Sequence, residues 1–300
     1  MKVLVTGGAG FIGAHLIRTL LKSGFKVFVL DNLSTGKLEN IKPEAKFYEG
    51  DLLDRDLVYQ CVSRERPEVV IHLAAQASVP KSLEDPSADA SINISGSVNL
   101  FEASRQSGAR KVIYASTAAV YGSPRYLPLD EQHPVQPISG YGLSKYTVER
   151  YLSLYRDLYG LDYTVLRFAN VYGPGQSFAG EGGVVAIFLD RIMRGVQPVI
   201  HGDGKQTRDF IHVSDIVAAI FCALERGSGA VLNIATGHPA SINRLFQIIK
   251  KEAGYTGEPG FTLPRPGDIR ESWFDIKRAA GELEWSPAIR LERGIKTCLY

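Results

Sequence analysis

The sequence "VLVTGGAGFIGAHL", residues 3–16, gives the strongest indication of the fold. A short apolar run is followed by Gly7, Gly10 and Gly13 and then by apolar residues at helical spacing. Glycine permits a tight turn and lets a phosphate approach the backbone closely. The free N–H groups and the positive dipole end of the following helix attract anions. A strand, these glycines and a helix in this order predict a site for the pyrophosphate of a dinucleotide.

After this loop, short apolar runs alternate with helical patterns along the chain. The predicted strands are Val3–Thr6, Val27–Leu30, Lys46–Glu49, Val69–Leu73, Val112–Ala115 and Tyr163–Phe168. The predicted helices are Gly13–Lys22, Leu53–Ser63, Ser87–Ser107 and Tyr141–Tyr159. Fully apolar strands separated by helices indicate a parallel sheet covered on both faces. The fold class is therefore α/β, a Rossmann-type doubly wound parallel sheet.

The alternation breaks after residue 170, in the glycine-rich "VYGPGQSFAGEGG". Beyond it, helices are expected near Val184–Arg194 and Asp215–Leu224. We expect a dinucleotide-binding Rossmann domain over residues 1–170 and a smaller α/β substrate domain over residues 171–300. Some segments of the second part are expected to return to the first.

The composition excludes several classes of partner. Lysine and arginine number 34 and aspartate and glutamate 32, so the formal charge of +2 gives no broad attraction to nucleic acid or to an anionic membrane. No apolar run approaches the roughly 20 residues that span a bilayer, and the N-terminus does not read as a signal peptide. Cys61, Cys222 and Cys298 lack metal-binding spacing, so no metal is expected. Cytoplasm is the expected location.

Carboxylates follow the second and third predicted strands. Asp31 can accept hydrogen bonds from the ribose hydroxyls of an adenosine and would repel a 2′-phosphate, which favours NAD over NADP. Asp51 is placed to hydrogen-bond the adenine. The small residues of "HLAAQASV", residues 72–79, would let the backbone after the fourth strand pack near the cofactor.

A second decisive stretch is "SGYGLSKYTVERYL", residues 139–152. Tyr141 and Lys145 share one face of a helix, either as a chance pair or as a proton-transfer device. Tyrosine has an ordinary pKa of about 10, and a neighbouring ammonium or an oxidised nicotinamide favours its phenolate. Ser116 and Thr117 end a strand, where ligands bind in open α/β sheets. The full set favours a tyrosine general base.

Together these motifs resemble the extended short-chain dehydrogenase/reductases that act on nucleotide sugars, and the resemblance covers almost the whole chain. The stretches that carry it are "TGGAGFIG", "DNLSTG", "GDLLD", "HLAAQASV", "STAAVYG", "YGLSK", "RFANVYGPGQ", "GDGKQTRDFIHVSD" and "RPGD". The resemblance implies bound NAD, a UDP-sugar substrate and a homodimer formed through Ser87–Ser107 and Tyr141–Tyr159.

The resemblance also implies roles for matching positions. Tyr141 becomes the base, Lys145 the cation that binds ribose and lowers the tyrosine pKa, and Thr117 the hydroxyl partner. Matching cofactor positions are Gly7, Gly10, Phe11, Ile12, Gly13, Asp31, Asn32, Ser34, Thr35, Gly36, Asp51, Leu52, Leu73, Ala74, Ala75, Gln76, Asn93, Ser116, Tyr141, Lys145 and Phe168. Matching substrate positions are Thr117, Tyr141, Asn170, Val184, Arg208, Arg265 and Asp268. Two arginines suit a pyrophosphate because each can bind it through two charge-assisted hydrogen bonds.

The residues after Thr117 indicate the reaction. In the family, sugar dehydratases carry an acid pair there and decarboxylases a glutamate, whereas this chain has Ala118 and Ala119. Alanines fit a 4-epimerase, which needs one base and a reversible hydride carrier, and UDP-galactose and UDP-glucose are the expected sugars. Ser272 is small where relatives carry a bulky residue, so N-acetylated UDP-sugars are an alternative unless Trp273 fills the space. A nucleotide-sugar decarboxylase or reductase, and a non-catalytic NAD-binding protein, also stay open.

Overall fold

Twelve strands and eleven α-helices make up the part of the chain that the computed structural model describes, residues 1–178, 183–265 and 267–299. The strands are β1 (Lys2–Thr6), β2 (Lys26–Asp31), β3 (Lys46–Glu49), β4 (Val69–His72), β5 (Lys111–Thr117), β6 (Asp162–Phe168), β7 (Asn170–Tyr172), β8 (Val199–His201), β9 (Thr207–His212), β10 (Ala230–Ile234), β11 (Pro239–Ser241) and β12 (Gly260–Thr262). Part of the predicted glycine-rich break and Pro266 of "RPGD" lie outside the described residues.

The helices connect and flank these strands. They are α1 (Phe11–Lys22), α2 (Arg55–Glu65), α3 (Val79–Glu84), α4 (Pro86–Ala90), α5 (Gly96–Gln106), α6 (Gly140–Tyr159), α7 (Val184–Met193), α8 (Val213–Ala223), α9 (Ile242–Glu252), α10 (Lys277–Leu283) and α11 (Leu291–Thr297). No helix in the described ranges is long and apolar enough to cross a membrane.

The main body is a seven-stranded sheet in the order β10-β6-β5-β4-β1-β2-β3, and every neighbouring pair is parallel. The strand order reverses between β1 and β4, which is where a doubly wound sheet opens a crevice for ligands. The predicted Rossmann-type α/β class is confirmed.

The sheet has an apolar core on each face because its strands carry apolar side chains that point alternately to the two faces. Val3 and Val5 pack into one core with α1 and α8, while Leu4 packs into the other with α2, α5 and α6. Apolar side chains on both faces are the mark of a parallel strand covered by helices on both sides. Because both faces are packed against helices, the positions of the strand ends are fixed.

The remaining strands form two small sheets. One has the order β11-β9-β7, and β12 and β8 form a parallel pair. They pack with α7, α9 and α11 around a separate apolar cluster that includes Phe188 and Phe246. In contrast, β10 and α8 lie in the main body, although both follow residue 170.

Each helix and strand predicted from the sequence is present, with ends that differ by a few residues. The largest difference concerns the predicted helix Ser87–Ser107. It begins at Pro86 and contains a π-helical turn at Ser91–Ser95. Patterning did not predict α3, α9, α10, α11 or any strand after β6.

Candidate active site

The glycine loop after β1 leaves the start of α1 open. Gly7 has φ of +69°, and a side chain there would place its Cβ 2.6 Å from the Ala74 main-chain nitrogen. Gly10 caps α1 without a side-chain hydrogen bond from the described residues, and the first turn holds no acidic residue. The free N–H groups can therefore take an anion, as the sequence predicts.

Asp31 ends β2 beside this loop and is almost fully buried. Its Oδ2 accepts a hydrogen bond from the Ala9 main-chain N–H at 2.9 Å, and Oδ1 accepts one from Leu33 at 2.8 Å. The carboxylate thus ties the end of β2 to the glycine loop. Next to it, the Asn32 amide donates to Asp51 Oδ2 at 2.8 Å, which joins the two predicted adenosine-binding residues.

The other predicted cofactor positions gather along the same edge of the sheet. Some lie in the glycine loop or at the start of α1. The others lie at the carboxyl end of a strand or in the segment that follows that strand. Phe11, Ile12, Gly36, Leu73, Ala74, Ala75 and Gln76 are partly buried, Leu52 and Phe168 are buried, and Ser34 and Thr35 are exposed.

Tyr141 lies in the first turn of α6, and its hydroxyl lies near the Thr117 hydroxyl at the end of β5. Burial raises the pKa of Tyr141 above its ordinary value, and the nearby Thr117 hydroxyl opposes that shift. Close backbone packing brings the two together, because a Cβ at Gly142 would lie 2.6 Å from the Ala119 carbonyl oxygen. The glycine beside Tyr141 thus lets α6 approach the turn that follows Thr117.

Lys145 lies one turn further along α6, on the face that Tyr141 shares, and is 3% exposed. Its Nζ is 4.4 Å from the centre of the Tyr114 ring. Burial lowers the pKa of Lys145 to about 7, while the carboxylates of Glu149 and Asp89 act in the opposite direction. The ammonium of Lys145 therefore loses its proton at a pH closer to neutrality than that of a free lysine, whereas the pKa of the Tyr141 phenol lies above its ordinary value.

Asn93 lies in the π-helical turn and is buried. Its Oδ1 accepts from the Gln76 main-chain N–H at 2.8 Å, and its Nδ2 lies within 3.1 Å of Gln76 O, Ser144 Oγ and Asp89 Oδ1. In this arrangement the carboxamide joins the loop after β4 to α6. The predicted contact with the cofactor phosphates would have to replace one of these bonds.

Ser116 points away from Thr117, because successive strand side chains alternate. Its hydroxyl donates to Glu149 Oε1 at 2.5 Å, and the side chain is buried. A cofactor contact at Ser116 therefore falls to its main chain. Sequence reasoning did not single out Glu149, although its spacing of eight residues from Tyr141 places it on the same helix face.

The other predicted substrate residues lie on the smaller sheets, at the start of α7 and in the segment around residue 268. Arg208 on β9 forms an ion pair with Asp268, and burial lowers the pKa of Arg208. Arg265 is exposed, with Nη2 3.3 Å from His201 Nε2. Asn170 begins β7 and is exposed, and Val184 begins α7 and is partly buried.

Hydrogen bonds connect this group to the strand ends of the main sheet. Thr207 accepts from the Ser272 N–H at 3.2 Å, and Leu129, in the segment that follows Thr117, donates to Trp273 O at 2.9 Å. On β9, the Asp209 carboxylate accepts from the Thr236 N–H at 2.8 Å, just after β10. The residues expected to hold a nucleotide diphosphate are thereby tied to the edge that carries Thr117.

Comparison with known proteins identifies the family. The profile of the NAD dependent epimerase/dehydratase family matches residues 3–235. A putative UDP-glucose 4-epimerase of Methanocaldococcus jannaschii is 46% identical over 295 residues, which cover 98% of this chain and 96% of that protein. The chain belongs to the NAD dependent epimerase/dehydratase family.

Three solved structures share the fold over nearly their whole length. The UDP-glucose 4-epimerase of Thermotoga maritima with UDP-glucose has a TM-score of 0.98 and 46% identity, covering 100% of this chain and 97% of that one. The Thermus thermophilus UDP-glucose 4-epimerase with NAD has a TM-score of 0.94 and 40% identity, covering 100% and 98%. The UDP-N-acetylglucosamine 4-epimerase of Methanobrevibacter ruminantium with UDP-N-acetylmuramic acid has a TM-score of 0.95 and 37% identity, covering 99% and 96%.

The resemblance to extended short-chain dehydrogenase/reductases and the choice of NAD as cofactor are confirmed. The residues of this chain fit that cofactor, because no side-chain hydrogen bond from the described residues occupies the start of α1 and the glycine loop lies against Ala74 without an intervening side chain. The protein is an NAD-dependent enzyme of this family.

Proposed function

We propose that the chain interconverts UDP-galactose and UDP-glucose by reversible oxidation at the sugar C4. The close approach of the Tyr141 phenol to the Thr117 hydroxyl at the carboxyl edge of the sheet carries the proposal, because it places a general base where the dinucleotide crevice opens. Ala118 and Ala119 support it, since neither of these side chains offers an acid for eliminating water. Relatives named as UDP-glucose 4-epimerases agree with this reading.

Each proposed role follows from a position in the site. Tyr141 takes the proton from the sugar 4-hydroxyl, and the Thr117 hydroxyl orients that sugar hydroxyl by a hydrogen bond of its own. Lys145 favours the phenolate through its charge and holds the nicotinamide ribose. When bound, NAD accepts a hydride from C4 and returns it, so it is regenerated in each turnover.

The substrate is held by its diphosphate in this proposal. Arg208 and Arg265 bind the pyrophosphate, and Asp268 binds the uridine ribose after leaving Arg208. Asn170 and Val184 line the same pocket. The flat 4-keto sugar turns about its link to the diphosphate and presents its other face, and the returning hydride then gives the epimer.

A chromatographic assay of purified protein with UDP-galactose tests the function. Appearance of UDP-glucose without added NAD supports both the reaction and a tightly held cofactor. Net reduction of NAD or release of carbon dioxide from UDP-glucuronate would indicate a reductase or decarboxylase. Binding of NAD with no turnover of any nucleotide sugar would indicate a non-catalytic role.

UDP-N-acetylglucosamine and its 4-epimer are the second candidate pair. Ser272 is buried and small, so it leaves more room than a bulky residue at this position. The similar Methanobrevibacter ruminantium enzyme carries that activity in its name. We expect Ser272→Tyr to abolish turnover of the N-acetylated sugar and to spare UDP-galactose. Equal loss for both sugars would contradict this role of Ser272.

We also propose a homodimer formed through α5 and α6. Leu143, Leu154 and Leu158 recur at helical spacing on α6 and are 55%, 47% and 60% exposed, an apolar stripe facing away from the core. Replacing Leu154 and Leu158 by glutamate should yield a monomer in light scattering; an unchanged mass would contradict the interface.

The free cysteines Cys61, Cys222 and Cys298 support a cytoplasmic location.

A further inference from the structure

An ion pair lies buried beneath the candidate active site. Arg167 on β6 donates to the Glu149 carboxylate on α6 through Nη2 at 2.6 Å and through Nε at 3.0 Å. The Arg167 and Glu149 side chains are only 5% and 3% exposed. Ser116 on β5 donates to the same carboxylate at 2.5 Å. One carboxylate thus joins a helix and two neighbouring strands.

Each member of this group adjoins a residue of the candidate site. Ser116 precedes Thr117, and Arg167 precedes Phe168. Ser116 is the register partner of Arg167, and Thr117 that of Phe168. Glu149 stands one helical turn after Lys145, as Lys145 stands one turn after Tyr141. The three side chains meet one layer below the reacting groups.

Stability alone does not account for this arrangement. A buried ion pair contributes little compared with well-packed apolar residues, because two charges must leave water. Arg167 Nη1 is moreover buried without a hydrogen-bond partner among the described residues, and the guanidinium carbon lies 4.8 Å from the centre of the Tyr121 ring. The cost of burying these charges suggests that the pair serves to position α6 relative to β5 and β6.

We propose that Glu149 and Arg167 are positioning residues of the active site, because they hold α6 in register with β5 and β6. In this register Tyr141 lies beside Thr117, and Lys145 faces the place of the nicotinamide ribose. The inference rests on the proposed function, in which Tyr141 is the base. A slide or rotation of α6 by about 1 Å would break the bonds to Glu149, and such a displacement can reduce a rate about a hundredfold.

The pair can be removed without leaving a lone buried charge. The double variant Glu149→Met with Arg167→Met keeps the volume apolar, whereas Glu149→Gln leaves the guanidinium unpaired and is expected to destabilise the protein. Lys111→Met is the matched control. Lys111 is 2% exposed and stands 3.9 Å from Asp162, its register partner, at the opposite end of β5 and β6.

We expect the double variant to stay folded, with a melting temperature lowered only by the loss of the Ser116 hydrogen bond, and to keep the KM of the NAD-loaded enzyme while kcat falls at least about tenfold. Lys111→Met should alter the melting temperature and leave kcat unchanged. The inference is overturned if the double variant keeps the wild-type kcat, or if the loss of kcat only follows the loss of folded protein.

A second readout separates this inference from the proposed reaction. The phenol of Tyr141 can be titrated by near-ultraviolet absorbance, as the difference between each protein and its Tyr141→Phe derivative. We expect the double variant to raise the pKa of Tyr141, because the phenol loses its alignment with Thr117 and with the Lys145 ammonium. An unchanged titration would overturn the positioning role even if the wild-type protein turned over no UDP-sugar, and that inactivity would refute only the proposed function.

Discussion

Tyr141 and Thr117 meet because a helix start and a strand end converge on one edge of the sheet. The hydroxyl of Tyr141 is the group on which the proposed reaction depends. A positioned general base accelerates a reaction by about 10²–10⁴-fold. Tyr141→Phe should therefore lower kcat by at least about a hundredfold without loss of bound NAD. Tyr159→Phe, at the exposed end of the same helix, is the control and should retain full activity.

The pH dependence of activity follows from the charge of Lys145. Its ammonium favours the phenolate of Tyr141, whereas burial raises the pKa of that phenol. Without the ammonium, Tyr141 binds its proton more tightly, so a higher pH is needed to form the phenolate. We expect Lys145→Met to move the rising limb of kcat/KM against pH to higher pH. An unshifted limb with reduced height would show that Lys145 acts only on cofactor binding.

The sequence predicts reactive residues better than the residues that support them. Tyr141, Lys145 and Thr117 are recognisable because their types and spacing match a known chemistry. Glu149 and Arg167 stand apart in sequence, and only the packing of α6 on β6 brings their charges together. A glutamate or arginine in a chain of this composition is more often at the surface, so burial was the missing information.

At the scale of elements, Gly142 sets how closely α6 approaches the turn after β5. We expect Gly142→Ala to lower both the melting temperature and kcat, because its Cβ would press on the Ala119 carbonyl. Gly281→Ala in α10 is the matched control, since a Cβ there meets nothing within 4 Å. It should raise stability by up to about 1 kcal/mol through helix propensity. Thermal unfolding and initial rates of both variants check the pair.

Patterning finds the strands β1 to β6 of the parallel sheet, although not β10, because buried strands between helices give uniform apolar signals. The strands β7, β8, β11 and β12 are three residues long, too short to show alternation. The π-helical turn at Ser91–Ser95 leaves no mark in hydrophobic spacing. It nevertheless places Asn93 beside Gln76 and Ser144, which no periodicity indicates.

At the scale of the whole molecule, nucleotide binding should change the ion pair between Arg208 and Asp268. In the proposed function Arg208 releases Asp268 and takes the diphosphate, so UDP alone should bind and stabilise the protein. A ligand at a hundred times its Kd stabilises by about 2.7 kcal/mol. We expect saturating UDP to raise the melting temperature of the wild type, and Arg208→Met to lose most of this gain.

The control for this experiment is Arg244→Met, since Arg244 is also paired on the surface, with Glu292 at 3.4 Å. It should respond to UDP as the wild type does. Equal stabilisation of all three proteins would place the diphosphate elsewhere and would remove Arg208 from the substrate site.

The proposed enzyme oxidises the sugar reversibly at C4 with a cofactor that stays on the protein. This reaction is tested by incubating the purified enzyme with UDP-galactose and no added NAD, followed by chromatography of the sugar nucleotides. We expect UDP-glucose to appear until both isomers reach equilibrium, with no net change in NAD. Persistent UDP-galactose after NAD is supplied, with Tyr141→Phe and wild type indistinguishable, would contradict it.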